Sequence, residues 1–156
     1  MTVSPFFHVG FLVNDLGEAM DRFGDIFKVT WTEPTIAHAD IWEMDKGTNP
    51  IALDVVYSNQ GPVHIELLQA QGEGLYRPQQ GEGFHHIGVW EPDCEARQQD
   101  LESKGLAPLA TQYTPQKEII VSYFDPAPLH GVMLEIVDEG RRPMMERWFA
   151  GEPFLD

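Results

Sequence analysis

Two histidines and two glutamates recur at matching places in this chain: His8 and His86 each open an apolar run, and Glu66 and Glu135 each sit inside one. Imidazole nitrogen with carboxylate oxygen is a donor set for Zn²⁺, Ni²⁺, Co²⁺, Mn²⁺ or Fe²⁺, and four such ligands leave positions for water or substrate. Each residue alone has a plainer reading. A histidine near a strand start is usually a surface or satisfied core group. A glutamate between Ile65 and Leu67, or between Leu134 and Ile136, can be the polar face of an alternating strand. The recurrence of both types at both places is what points to one divalent ion. His85 has three readings: a partner behind His86, a neighbouring polar group, or a residue facing the other side. Adjacent strand residues point to opposite faces, so His85 and His86 cannot both approach one ion without a bulge.

The elements that must position these side chains come from an internal repeat. His8-Val9-Gly10-Phe11 lies over His86-Ile87-Gly88-Val89 at an offset of 78, which also sets Asp15 over Asp93. Each copy reads as a strand, an acidic N-cap, a helix and further strands. Asp15 with Glu18 forms a capping box, and Leu16, Met20, Phe23 and Phe27 make an apolar stripe that should pack on a sheet. The second helix starts after Asp93, runs to about Lys104 and stops at Gly105, with a poorer stripe. A second offset, 69, sets Ile51-Ala52-Leu53 on Ile120-Val121-Ser122 and His64–Leu68 on Met133–Val137, each pair a hairpin. The difference in offset falls in Thr32–Pro50, read as a longer loop. The fold class is α+β: two βαβββ modules, at about 6–70 and 84–138, forming a cupped mixed sheet around the metal. One domain spans 1–156, with a Gly/Gln-rich linker over 71–83 and a tail helix over 141–150 that covers a sheet face or docks on a second subunit.

Composition narrows the partners. A net charge of −15 opposes nucleic acid and anionic membranes, and ten Lys and Arg count weakly against phosphorylated or CoA-linked substrates. No apolar stretch is long enough to span a bilayer, and the N-terminus lacks a secretory pattern, which suggests the cytoplasm. Cys94 is the only cysteine, so internal disulfides and Cys-rich zinc sites are excluded, and it is read as structural. Trp31, Trp42, Tyr57, Trp90, Tyr113, Tyr123 and Phe124 are candidates to line a pocket for an apolar substrate, although core packing is the commoner use of any one. His64 and His130 are read as exposed or structural.

The runs at 8–16, 84–90 and 132–137 (His-Val-Gly-Phe-Leu-Val-Asn-Asp-Leu, Phe-His-His-Ile-Gly-Val-Trp and Val-Met-Leu-Glu-Ile-Val) resemble the vicinal oxygen chelate superfamily. That group includes glyoxalase I, methylmalonyl-CoA epimerase, extradiol dioxygenases and bleomycin-resistance proteins. The resemblance covers about residues 6–138 and implies paired βαβββ modules cupped around a metal. It implies Glu135 as ligand and base, Glu66 as its counterpart in both roles, and His8 and His86 as ligands only. The dioxygenases carry a second histidine where Glu66 stands, which argues against ring cleavage. Bleomycin-resistance proteins lack this ligand set. The implied activity is that of a metal-dependent isomerase, epimerase or lyase working through an enolate on a small carbonyl compound or thioester, in a homodimer. A non-catalytic binding or resistance protein on the same fold is the alternative. His38, Asp40 and Glu43 are candidates for a second base.

Overall fold

Asp15 and Asp93 start two helices in the same way: Asp15 Oδ1 accepts from the Glu18 N–H and Asp93 Oδ1 from the Ala96 N–H, both at 3.0 Å. Around them a computed structural model, which describes residues 4–79 and 81–155, shows one order of elements twice. The first half runs β1 (Phe6–Val13), α1 (Leu16–Phe27), β2 (Thr35–Glu43), β3 (Gly47–Tyr57) and β4 (His64–Gln69). The second runs β5 (Gly83–Glu91), α2 (Cys94–Ser103), β6 (Pro108–Tyr113), β7 (Ile119–Phe124) and β8 (Leu134–Asp138), and α3 (Arg142–Phe149) follows it.

In each half the first strand lies parallel to the last, β1 on β4 and β5 on β8, while the remaining neighbours within each half are antiparallel. The halves join twice. β1 pairs antiparallel with β5, and Ile41–Glu43 of β2 pairs with Ala110–Gln112 of β6. The second seam closes the cup into an eight-stranded barrel.

Residues 32–50, expected as a longer loop, are instead mostly strand. β2 and β3 run 9 and 11 residues, against 6 and 6 for β6 and β7. The repeat register in this region also differs from the expected one. Tyr57 stands opposite Glu66 and Tyr123 opposite Glu135, so Ile120–Ser122 corresponds to Asp54–Val56 rather than to Ile51–Leu53. The reason is the 3₁₀ turn Ala127–Leu129, which lengthens the β7–β8 connection by three residues. The α1 stripe packs less completely than its spacing predicts. Ala19 is buried and Leu16, Met20 and Phe23 lie against the sheet, but Phe27 is 57% exposed.

The tail packs on its own chain. Met145, Trp148 and Phe149 of α3 are buried in the same apolar cluster as Phe7, Tyr57 and Trp90. Burial of such side chains stabilises by about 2 kcal/mol each. Phe149 stacks on His64 at 4.0 Å, and the Asn59 side-chain amide donates to the Phe149 carbonyl at 2.9 Å. Among the described residues no helix is long and apolar enough to cross a membrane.

Candidate metal centre

β1 and β5 cross with His8 opposite Gly88, Val9 opposite Ile87 and Gly10 opposite His86. This reciprocal register places the two imidazoles side by side at the pseudo-twofold centre. Each ring lies over the other strand's glycine. A Cβ on Gly10 would meet His86 Cε1 at 2.2 Å, and one on Gly88 would meet His8 Cε1 at 1.9 Å. The strands parallel to these, β4 and β8, bring Glu66 and Glu135 alongside.

All four predicted side chains meet. His8 Nε2 and His86 Nε2 are 2.8 Å apart. Glu135 places Oε1 at 3.2 Å from His8 Nε2 and Oε2 at 3.5 Å from His86 Nε2. Glu66 Oε1 lies 3.3 Å from His86 Nε2 and 3.8 Å from His8 Nε2. Both histidines are fully buried and both glutamates nearly so. His8, Glu66 and His86 bring ligand atoms within 4.8 Å of one another, with Glu135 against both histidines, a buried donor set that suits a divalent transition metal. Glu66 Oε1 makes no hydrogen bond, as a group awaiting a further partner would.

Burial pulls the His86 pKa down, but Glu135 and Glu66 outweigh it and hold it above the usual histidine value. Burial pushes Glu135 up, and His86, His8 and a hydrogen bond from Tyr123 reverse this, holding it at about 2. Glu135 is thus a full carboxylate throughout the neutral range. Tyr57 beside Glu66, and Tyr123 beside Glu135, are raised far above the ordinary phenol value, by burial first and then by the carboxylates. Both remain protonated donors.

His85 occupies a bulge, the condition under which it can reach its neighbour. The β1–β5 register skips it between His86 and Phe84. Its Nε2 lies 2.9 Å from the Leu75 carbonyl and its Nδ1 lies 2.8 Å from His86 Nδ1. A carbonyl only accepts, so His85 Nε2 carries the proton. Burial, and then His86, pull His85 down to about 4, so it is neutral near pH 7 and its Nδ1 accepts. His86 Nδ1 therefore donates to His85, which leaves His86 Nε2 as the atom facing Glu66 and Glu135.

Of the second-base candidates, His38 and Asp40 lie on the outward face of β2, where alternate residues Thr35, Ala37 and Ile41 face inward. Glu43 accepts from the Leu75 N–H at 2.5 Å, at the end of the strand. None of the three lines the cavity beside Glu66 and Glu135. That cavity, about 140 Å³, takes only Tyr57 and Tyr123 from the seven aromatic candidates. Trp31 donates to the Met20 carbonyl, Trp90 stacks on Phe7, and Phe124 is buried in a separate cluster.

Sequence reasoning missed Tyr76, Arg141 and Trp148, which also line the cavity. Tyr76 lies in the Gly/Gln-rich connection, is buried, and has its hydroxyl 2.9 Å from that of Tyr123. Leu75-Tyr76 was the one large apolar pair in that stretch, and it was the available signal.

Residues 7–123 match the family described as the Glyoxalase/Bleomycin resistance protein/Dioxygenase superfamily. Among solved structures, the chain is similar to Streptomyces coelicolor methylmalonyl-CoA epimerase in complex with 2-nitronate-propionyl-CoA (a variant, TM-score 0.63, 18% identity). The alignment covers 88% of this chain and 98% of that one. A methylmalonyl-CoA epimerase in complex with methylmalonyl-CoA and NH₄⁺ gives a TM-score of 0.62 at 18% identity, covering 88% and 95%. The Mycobacterium tuberculosis epimerase gives 0.60 at 18%, covering 88% and 91%. At that identity the likeness is one of fold. No curated protein matches the sequence.

Proposed function

The chain belongs to the glyoxalase/bleomycin resistance protein/dioxygenase superfamily, and on that premise we propose that it is a metal-dependent isomerase, epimerase or lyase acting on a small carbonyl compound through an enolate. One observation carries this reading: His8, Glu66, His86 and Glu135, drawn from both halves, come together, and the two glutamates also line an adjoining cavity. These four would hold the ion, which when bound supplies Lewis-acid stabilisation of negative charge on a substrate oxygen.

The chain's own groups do the rest. Tyr57 and Tyr123, kept protonated, donate to the two carboxylates and orient them. The apolar walls Leu53, Val55 and Leu68 keep water out of the site. Glu66 and Glu135 are the two bases within reach of a proton α to a carbonyl. Glu66, with Oε1 unpartnered, is the better placed to take that proton and return it.

A second reading, a binding protein without turnover, is favoured by one fact. A carboxylate held at about 2, as Glu135 is, ligates well but accepts protons poorly. Elemental analysis of protein purified without added metal, followed by ²H uptake from D₂O into a panel of enolisable acids, separates the two. About one transition-metal ion per chain, with ²H incorporation lost in Glu66→Gln, supports the enzyme. Metal without exchange in any compound supports the binding protein, and so does the absence of metal after reconstitution.

A further inference from the structure

The cavity that holds the two glutamates also holds a single unpaired cation. Arg141, at the start of the tail, is the only Lys or Arg among its lining residues. Its neighbours on the tail are engaged: Arg142 pairs with Glu139 and Glu146, and Arg147 with Glu152. Among the described residues Arg141 makes no ion pair or side-chain hydrogen bond, in a chain that carries 25 Asp and Glu against 10 Lys and Arg. Trp148 also lines the cavity; it is 2% exposed, and its indole N–H has no hydrogen-bond partner among the described residues. A buried donor left without an acceptor is costly, and a bound acceptor would remove that cost.

The size of the space limits what fills it. A cavity of about 150 Å³ holds a molecule the size of benzene, and this one is about 140 Å³. Glu135 and Val137 of β8 line this space together with Arg141 of the tail. A compact substrate with its reacting carbonyl at the glutamates shares this space with the tail residues.

We propose that Arg141 and Trp148 form the anchor for a substrate carboxylate, so that the substrate is a compact carboxylic acid with an apolar body and not a CoA thioester. The guanidinium fork matches a carboxylate bidentately, and the indole N–H adds one more donor. A CoA thioester carries several phosphate charges, which this cavity, with its single cation, does not meet. The proposal deepens the reading of the cavity as a substrate site and rests on it.

The test is binding, which needs no turnover. Benzoate and its neutral isostere benzamide are titrated into the full-length protein as purified, and in parallel after chelator treatment, with Trp fluorescence and calorimetry as readouts. The expected result is benzoate binding roughly 10- to 100-fold tighter than benzamide, the range that charge-assisted hydrogen bonds supply. Arg141→Leu should abolish that preference, and Arg141→Lys should keep part of it. The preference should survive chelation, so it stands even where the proposed metal chemistry fails. Equal affinities overturn the proposal. So does a preference that Arg141→Leu leaves intact, or one that chelator alone removes. Propionyl-CoA binding more tightly than benzoate, and indifferent to Arg141→Leu, overturns it as well.

Discussion

Phe7 and His85 occupy equivalent places, each one residue before a candidate ligand and each at an irregularity in the β1–β5 ladder, yet they do opposite things. His85 hydrogen-bonds the back of His86 and passes that bond to the Leu75 carbonyl. Phe7 offers no acceptor, so His8 Nδ1 is buried without a partner, and the ring is held instead by an edge contact to Phe7 at 4.3 Å. Phe7 in turn stacks on Trp90 at 3.7 Å. Duplication preserved the four groups at the centre, while their support diverged. One histidine is oriented by a proton and the other by packing. His86 is thus pre-set in its ligating tautomer, and His8 must take that tautomer with an N–H facing no acceptor.

The largest effect should come from deleting the pre-set side. His86→Ala and Glu135→Gln should each weaken metal binding by more than the roughly 100-fold that a supporting residue costs, with far-UV circular dichroism unchanged. Full occupancy in both, measured by elemental analysis, would refute the centre as drawn. Next come the glycines. Gly10→Ala and Gly88→Ala put a methyl into a ring, and overpacking of this kind costs about 1–3 kcal/mol. Both should lower the urea midpoint and reduce metal occupancy together, whereas an ordinary strand glycine would move only the first. His85→Phe, which makes the second copy like the first, should cost roughly 10- to 100-fold in metal affinity with little change in stability. An unchanged affinity would mean that packing orients His86 as well as the hydrogen bond does.

The smallest effect lies away from the centre. Cys94, where the first copy has Leu16, is pushed up to about 12 by burial and then by Asp138, Glu91, Glu95 and Asp93. The sign is that of a raised pKa: the stability from the protonated thiol is whole below the ordinary thiol value and is lost as pH climbs toward 12. Iodoacetamide at pH 8 should leave the native protein unlabelled and label it fully in denaturant, as mass spectrometry would show.

The repeat made the centre legible, because two short patterns, His-x-Gly and a glutamate in an apolar strand, recur in order. The helix caps were legible for the same reason: capping is local and needs only Asp at the right place. What could not be read depended on partners distant in sequence. The β7 register hinged on a three-residue turn, and the inward or outward sense of His38 and Asp40 on the strand parity of β2. Arg141 and Trp148 lie outside the repeat, so no matching position drew attention to them. The role of His85 turned on a bulge, a feature with no residue of its own to announce it.

The crossing of His8 over Gly88 and His86 over Gly10 makes the two halves mutually dependent in a way that the peptide linking them is not. Each half carries one ring without its socket and one socket without its ring. A single half has nothing to close on, and two halves from separate molecules would complete each other as readily as two from one. The covalent connection supplies local concentration, and the recognition is written in the strands. Chain cleavage at the exposed Gly81–Glu82 step should therefore leave two fragments that stay together with the centre assembled.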